Sequence, residues 1–147
     1  MAHVRKNIRD NITTTLTGLT TTGSKVFQTR LFPLGEAKLP ALCIYTKNEG
    51  SDYATVTTPR TQIRSLEVIV EAYVKGTSAV DDTLDTIAVE VEEALYTDLT
   101  RGGYAKDTQV TEFEADYTAD GEQSVGMGRF TIAITYATVE NDIETAA

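Results

Sequence analysis

Apolar residues along this chain change their period from four to two and back, and each change marks an element. Val4, Ile8, Ile12 and Leu16 recur at every fourth position, with Leu19 three further on. That spacing predicts a helix over 3–19 with a single buried stripe. Arg5, Lys6, Arg9, Asp10 and Asn11 fall on its other faces. The run Thr13-Thr14-Thr15 is β-branched and a weak helix former, so this helix depends on packing its stripe. Gly18 and Gly23 bracket a Thr-rich exit. Residues 24–34 alternate and predict an extended segment closed by Pro33, and 35–38 a short loop. The near-continuous apolar run over 41–46 predicts a central strand covered on both faces. Residues 47–61 are polar and Thr-rich, with Gly50 and Pro59. They predict a long loop or an irregular hairpin, longer than most connections in compact domains.

Period two returns at 62–74. Leu66, Val68, Val70, Ala72 and Val74 take one face, while Ser65, Glu67, Ile69, Glu71 and Tyr73 take the other. Ser78 then offers an N-cap with Asp81 three residues on. Val80, Leu84, Ile87, Ala88, Val91, Leu95 and Leu99 form the stripe of a second helix, which Arg101-Gly102-Gly103 closes. The last third predicts a hairpin. Phe113, Ala115 and Tyr117 alternate with acids over 110–117, and Phe130, Ile132, Ile134 and Tyr136 alternate with small polar residues over 129–137. The turn falls at 119–122, around Asp120-Gly121. The predicted fold is α+β: a mainly antiparallel, mixed β-sheet with two helices packed on one face. The expected organisation is one domain over 1–140 and a flexible acidic tail over 141–147. The second sheet face is left open and is only partly polar, which makes it a candidate association surface.

Charge sharpens this picture. The net charge is -9, but residues 1–75 hold ten Lys and Arg against six Asp and Glu, a balance of +4. Residues 76–147 hold three against sixteen, a balance of -13. A subunit with one basic and one acidic flank suits head-to-tail contacts, although solvated faces explain the same split. The acidic total argues against wrapping nucleic acid. No apolar run reaches the length of a membrane helix, and the first residues lack the apolar core of a signal peptide. A setting in the cytoplasm, or wherever a larger assembly carries the chain, is expected.

Catalytic chemistry finds little to build on. His3 is the only histidine and lies near the start of the chain, at an end expected to be mobile. Cys43 is the only cysteine and sits in an apolar run, so it reads as a small buried hydrophobe. There is no phosphate loop, and Gly126-Met127-Gly128 reads as flexibility at a strand entry. Glu112, Glu114 and Asp116 share one strand face, and Asp81, Asp82 and Asp85 cluster at a helix start. Either set could serve a small acidic, metal-binding hydrolase. A solvated strand face and acids matched to a helix dipole explain them more simply. The expectation is no enzyme activity, no metal and no cofactor.

Several segments, in order, resemble the tail terminator (lambda U-like minor tail protein) family of long-tailed phages. They are the opening helix Val4-Arg5-Lys6-Asn7-Ile8-Arg9, then Lys25-Val26-Phe27 and Arg30-Leu31-Phe32-Pro33-Leu34. Leu39-Pro40-Ala41-Leu42-Cys43-Ile44-Tyr45-Thr46 follows, with Glu49 shortly after, and then the long strand Leu66-Glu67-Val68-Ile69-Val70-Glu71-Ala72. The second helix runs from Asp81 through Leu95, and Phe130-Thr131-Ile132-Ala133-Ile134-Thr135-Tyr136 closes the set. The resemblance implies a virion protein of the tail and neck, assembled in the host cytoplasm as a hexameric ring. Such a ring caps the tail tube, stops its polymerisation and offers a surface to the head. The implied partners are further copies of the chain, the tail-tube protein and a head-completion or connector protein. DNA would only pass through the lumen, and no membrane is involved. Another neck or head-completion protein, or a tube-like subunit, is the nearest alternative. The family transfers no sharp functional residues, so exposure selects the interface candidates. These are Lys47, Asn48, Glu49, Asp52, Tyr53, Thr57 and Arg60 in the polar loop, with Arg64, Glu67, Glu71 and Tyr73 on the strand after it.

Overall fold

A computed structural model describes residues 3–28, 40–76, 80–120 and 123–147. The elements are α1 (Val4–Leu16), β1 (Val26–Phe27), β2 (Ala41–Tyr53), β3 (Thr61–Gly76), α2 (Val80–Tyr96), β4 (Asp107–Asp120), β5 (Gln123–Val139) and β6 (Asp142–Ala146). The strands form one sheet in the order β1-β2-β3-β5-β4, and β6 pairs with the end of β5. β1 runs parallel to β2 and every other pairing is antiparallel, so the sheet is mixed, as expected.

Both helices lie on one face. Val4, Ile8, Ile12 and Leu16 of α1 and Val80, Leu84, Ile87, Val91 and Leu95 of α2 are buried. They share one core with Leu42 and Ile44 of β2, Leu66, Val68 and Val70 of β3, and Phe130, Ile132, Ile134 and Tyr136 of β5. Each fully buried large side chain contributes roughly 1.5–3 kcal/mol of transfer free energy, so the two stripes hold the helices in place. Arg9 carries the weak Thr run through bonds to Gln28 Oε1 (3.0 Å) and Thr46 Oγ1 (3.1 Å). Glu90 ties α2 to the α1 exit by accepting from the Thr21 amide at 2.9 Å.

One open alternative is decided, and four local expectations change. Residues 47–61 form the irregular hairpin and not the long loop: β2 continues to Tyr53, and only 54–60 connect it to β3. Lys47 is the extra residue of a β-bulge, since Thr46 pairs with Val68 and Asn48 with Glu67. The bulge exchanges the two faces of β2, so Glu49, not Asn48, lies opposite Leu66. A polar strand whose alternation is broken mid-way looks like a loop.

α2 stops at Tyr96, short of the predicted stripe, and Leu99 is exposed. Arg101 is the reason. Its side chain is fully buried, and its Nη2 donates to the Leu95 carbonyl at 2.5 Å and to the Asp98 carbonyl. A guanidinium there satisfies C-terminal carbonyls and opposes the negative end of the helix dipole. Asp98 accepts from the amides of Thr100 (2.9 Å) and Gly102 (2.8 Å) and from the Thr100 hydroxyl, which lower its carboxyl to about pKa 2.

Gly126 and Gly128 serve close packing, not flexibility. A Cβ on Gly126 would stand 2.3 Å from Val80 Cγ1 at the start of α2, and one on Gly128 3.1 Å from the Phe113 ring. The end of the chain, expected as a flexible tail, forms β6, where Thr138 pairs with Ala146 and Val139 with Asp142. The segment 29–39, the Ser78 cap and Gly121-Glu122 of the predicted turn lie outside the described residues.

His3 is the N-cap of α1 and not a loose end: its Nδ1 accepts from the Arg5 amide at 3.0 Å. Burial, and then the Arg5 cation, lower its pKa below 6.5. Only the neutral ring can accept that bond. The unfolded chain therefore binds the proton more readily, and stability contributed by the cap falls as pH drops through the folded pKa. The single histidine makes this directly measurable by NMR. We expect its ring protons to titrate below pH 6.5 in the folded protein, and His3→Asn to remove that pH dependence; a midpoint at or above 6.5 would contradict the cap.

Candidate functional site

Strand register places the second sheet face. Glu67, Ile69, Glu71 and Tyr73 of β3 lie beside Arg129, Thr131 and Ala133 of β5, with Cys43 and Tyr45 of β2 on one flank. Glu112, Glu114 and Asp116 of β4 lie on the other flank. Among the described residues, no helix covers this face.

Its centre is bolted. Glu71 is only 4% exposed and accepts from Tyr73 OH (2.9 Å), Tyr45 OH (3.3 Å), and Arg129 Nε and Nη2 (3.1 and 2.9 Å). These donors replace the water that a carboxylate gives up at the middle of a sheet. Burial and the Glu71 carboxylate push the Tyr73 phenol well above its ordinary range. Burial, with Glu71 second, pushes the Cys43 thiol up to about 11, which keeps it a thiol. Beside this centre lies a shallow recess of about 140 Å³ lined by Tyr45, Thr46, Lys47, Ile69 and Arg129.

The β4 flank is acidic and solvated. Glu114 raises the carboxyl pKa of Glu112, first through a shared hydrogen bond and then through charge repulsion. Among the described residues, no group of three or more His, Cys, Asp or Glu is placed to hold a metal ion.

A second cluster sits on the helix side, where β2 passes the start of α1. Glu49 accepts from Arg5 Nη1 (2.7 Å), Arg64 Nη1 (3.0 Å) and the Tyr136 hydroxyl. Arg64 also donates to Thr138 Oγ1 (3.0 Å) and Gln62 Oε1 (2.9 Å). Burial and then Glu49 push the Tyr136 phenol far up.

The candidate residues therefore separate into three places. Lys47, Asn48, Asp52, Glu67, Glu71 and Tyr73 belong to the open face. Tyr53, Thr57 and Arg60 gather at the 54–60 end, where the Arg60 guanidinium stacks 4.1 Å over the Tyr53 ring and binds Glu140 at 3.1 Å. Glu49 and Arg64 point to the helix side and serve the fold there. Arg129 and Tyr45, which complete the Glu71 centre, were not among the candidates. The pairing Glu71↔Arg129 brings in the first and the pairing Tyr45↔Ile69 the second, and no periodicity in the chain carries those registers.

The arrangement is a broad surface fixed at its centre by Glu71 and Arg129. The model of the phage minor tail protein U family matches residues 3–136. The chain belongs to that family. It is a structural component of the phage virion tail, in a family that is not an enzyme class. Solved structures include a chain in the "Virion of native gene transfer agent (GTA) particle", with 12% identity, a TM-score of 0.41, and coverage of 90% of this chain and 92% of that one. No curated protein sequence matches.

Proposed function

We propose that this minor tail protein U family member is a tail terminator. It assembles as a ring of six subunits on the last ring of the tail tube. There it stops polymerisation and offers its far side to the head. The family match over 3–136 carries this proposal. The uncovered sheet face, fixed by Glu71 and Arg129, supports it as a surface suited to association. Removing the protein from an infection is the test. Tails should grow beyond their normal length and fail to join heads; tails of normal length that join heads would sink the proposal.

The 54–60 segment is proposed to face a neighbouring ring. Val56 is 94% exposed at its tip, while Arg60 is held to Glu140 at its base. Replacing 54–60 by a two-residue Asn-Gly turn should leave the fold intact and cost most of the attachment to tails. Undiminished attachment in a particle-binding assay would contradict that placement.

A further inference from the structure

We propose that residues 112–117 of β4 are a docking edge for an extended, basic segment of another protein, which adds to the sheet as one more strand. This does not rest on the ring proposed above.

The edge itself carries the inference. β4 is the last strand in the sheet order and pairs only with β5. An open edge offers a row of unpaired N–H and C=O groups, and folded proteins either block such a row or use it. The first half of this edge is blocked. The Val110 amide donates to the Tyr96 hydroxyl at 2.9 Å, and the buried Thr108 hydroxyl donates to the Leu99 carbonyl at 2.9 Å. A bulge at Thr111 then breaks the register. The second half is not blocked. Residues 112–117 pair with β5 without interruption, all are exposed, and among the described residues nothing else bonds their backbone. The stretch 29–39 joins β1 to β2, at the opposite end of the sheet order.

The charges choose the occupant. Glu112, Glu114 and Asp116 alternate along this edge, and Asp81 and Asp85 of α2 act on Tyr117 from the helix side. Two cations of the same copy answer them in part. Arg129 lies 3.5 Å from Glu114, and Lys47 pulls on Glu112 less than Glu114 repels it. The margin keeps more acids than cations. A second copy's β4 would set these acids against their like, which disfavours self-pairing. A strand with Lys or Arg at alternate positions would instead meet Glu112, Glu114 and Asp116 with opposite charge. Its intervening residues would lie beside Phe113 and Tyr117, large rings exposed on the helix side of β4. The occupant is therefore an extended chain that alternates basic with apolar residues.

A synthetic peptide alternating lysine with valine tests this on the whole chain. It should bind, and on binding it should slow hydrogen exchange at those amides of 112–117 that point away from β5. A peptide alternating glutamate with valine should not bind. Glu112→Gln/Asp116→Asn changes only exposed side chains and should weaken the lysine peptide by roughly five- to tenfold. The proposal is overturned if the lysine peptide does not bind, if it binds with exchange at 112–117 unchanged, or if the variant or the glutamate peptide binds as well. Protection of 112–117 that rises with protein concentration in the absence of peptide would put a second copy on the edge and overturn it too.

Discussion

Replacing Glu49 with alanine is expected to lower the unfolding free energy by about 3 kcal/mol, because it strips a nearly buried cluster of its only anion. The Glu49 side chain is 9% exposed and that of Arg64 12%. Without the carboxylate, the Arg64 guanidinium keeps Thr138 and Gln62 but loses its countercharge. The Tyr136 hydroxyl, on a fully buried residue, loses its acceptor, which alone costs about 1–3 kcal/mol. Arg5 adds little, since its side chain is 36% exposed and water screens the pair. Chemical denaturation of Glu49→Ala, Tyr136→Phe and the double variant would separate these parts. The double variant should lose less than the two single losses combined, because both changes break the same bond. A loss below about 1 kcal/mol for Glu49→Ala would show that the cluster is not holding α1 to the sheet.

Phe130→Ala is expected to cost about 3–5 kcal/mol and to lower the melting temperature by on the order of 10 °C. Phe130 is 1% exposed between α2 and the sheet, and its ring meets Phe113 edge-on with centroids 5.0 Å apart. Its neighbours cannot collapse into the space, since both helices are pinned along their whole stripes. Phe113→Ala offers the comparison. Phe113 is 38% exposed, so it forfeits the ring contact and part of its burial, about 1 kcal/mol. Equal losses for the two variants in thermal unfolding would mean that β4 is packed far more deeply than its exposure indicates.

The elements that could be read in the chain are those where one physical demand dominates. α1 and α2 bury one stripe each, and β3 buries one face, so their periods survive intact in the residues. Where two demands compete, the pattern fails. Residues 48–53 of β2 face water on one side and a charged cluster on the other, and the Lys47 bulge shifts their alternation, so the pattern leaves loop and irregular hairpin equally open. Leu99 continues the α2 stripe in period, yet the chain turns away at Tyr96 so that Arg101 can cap the helix end. β6 is acidic and mostly exposed, and owes its strand conformation to pairing with Thr138 and Val139.

The open face was legible as a face, because Glu67, Glu71 and Tyr73 alternate against the core residues of β3. Its chemistry was not. Glu71 is a bound anion only because Tyr45 and Arg129 arrive from two other strands, and long-range register leaves no trace in a single strand. Glu49 shows the converse: a polar residue in a polar stretch looks like surface until the bulge turns it inward.

The central claim is that this tail protein acts as a ring at the end of the tube. Electron microscopy of tails carrying a tagged copy of the chain tests it most directly. The proposal predicts label in one closed ring, at the head-proximal end of each tail and nowhere else. Label distributed along the tube, or a single unclosed copy at that end, would contradict it.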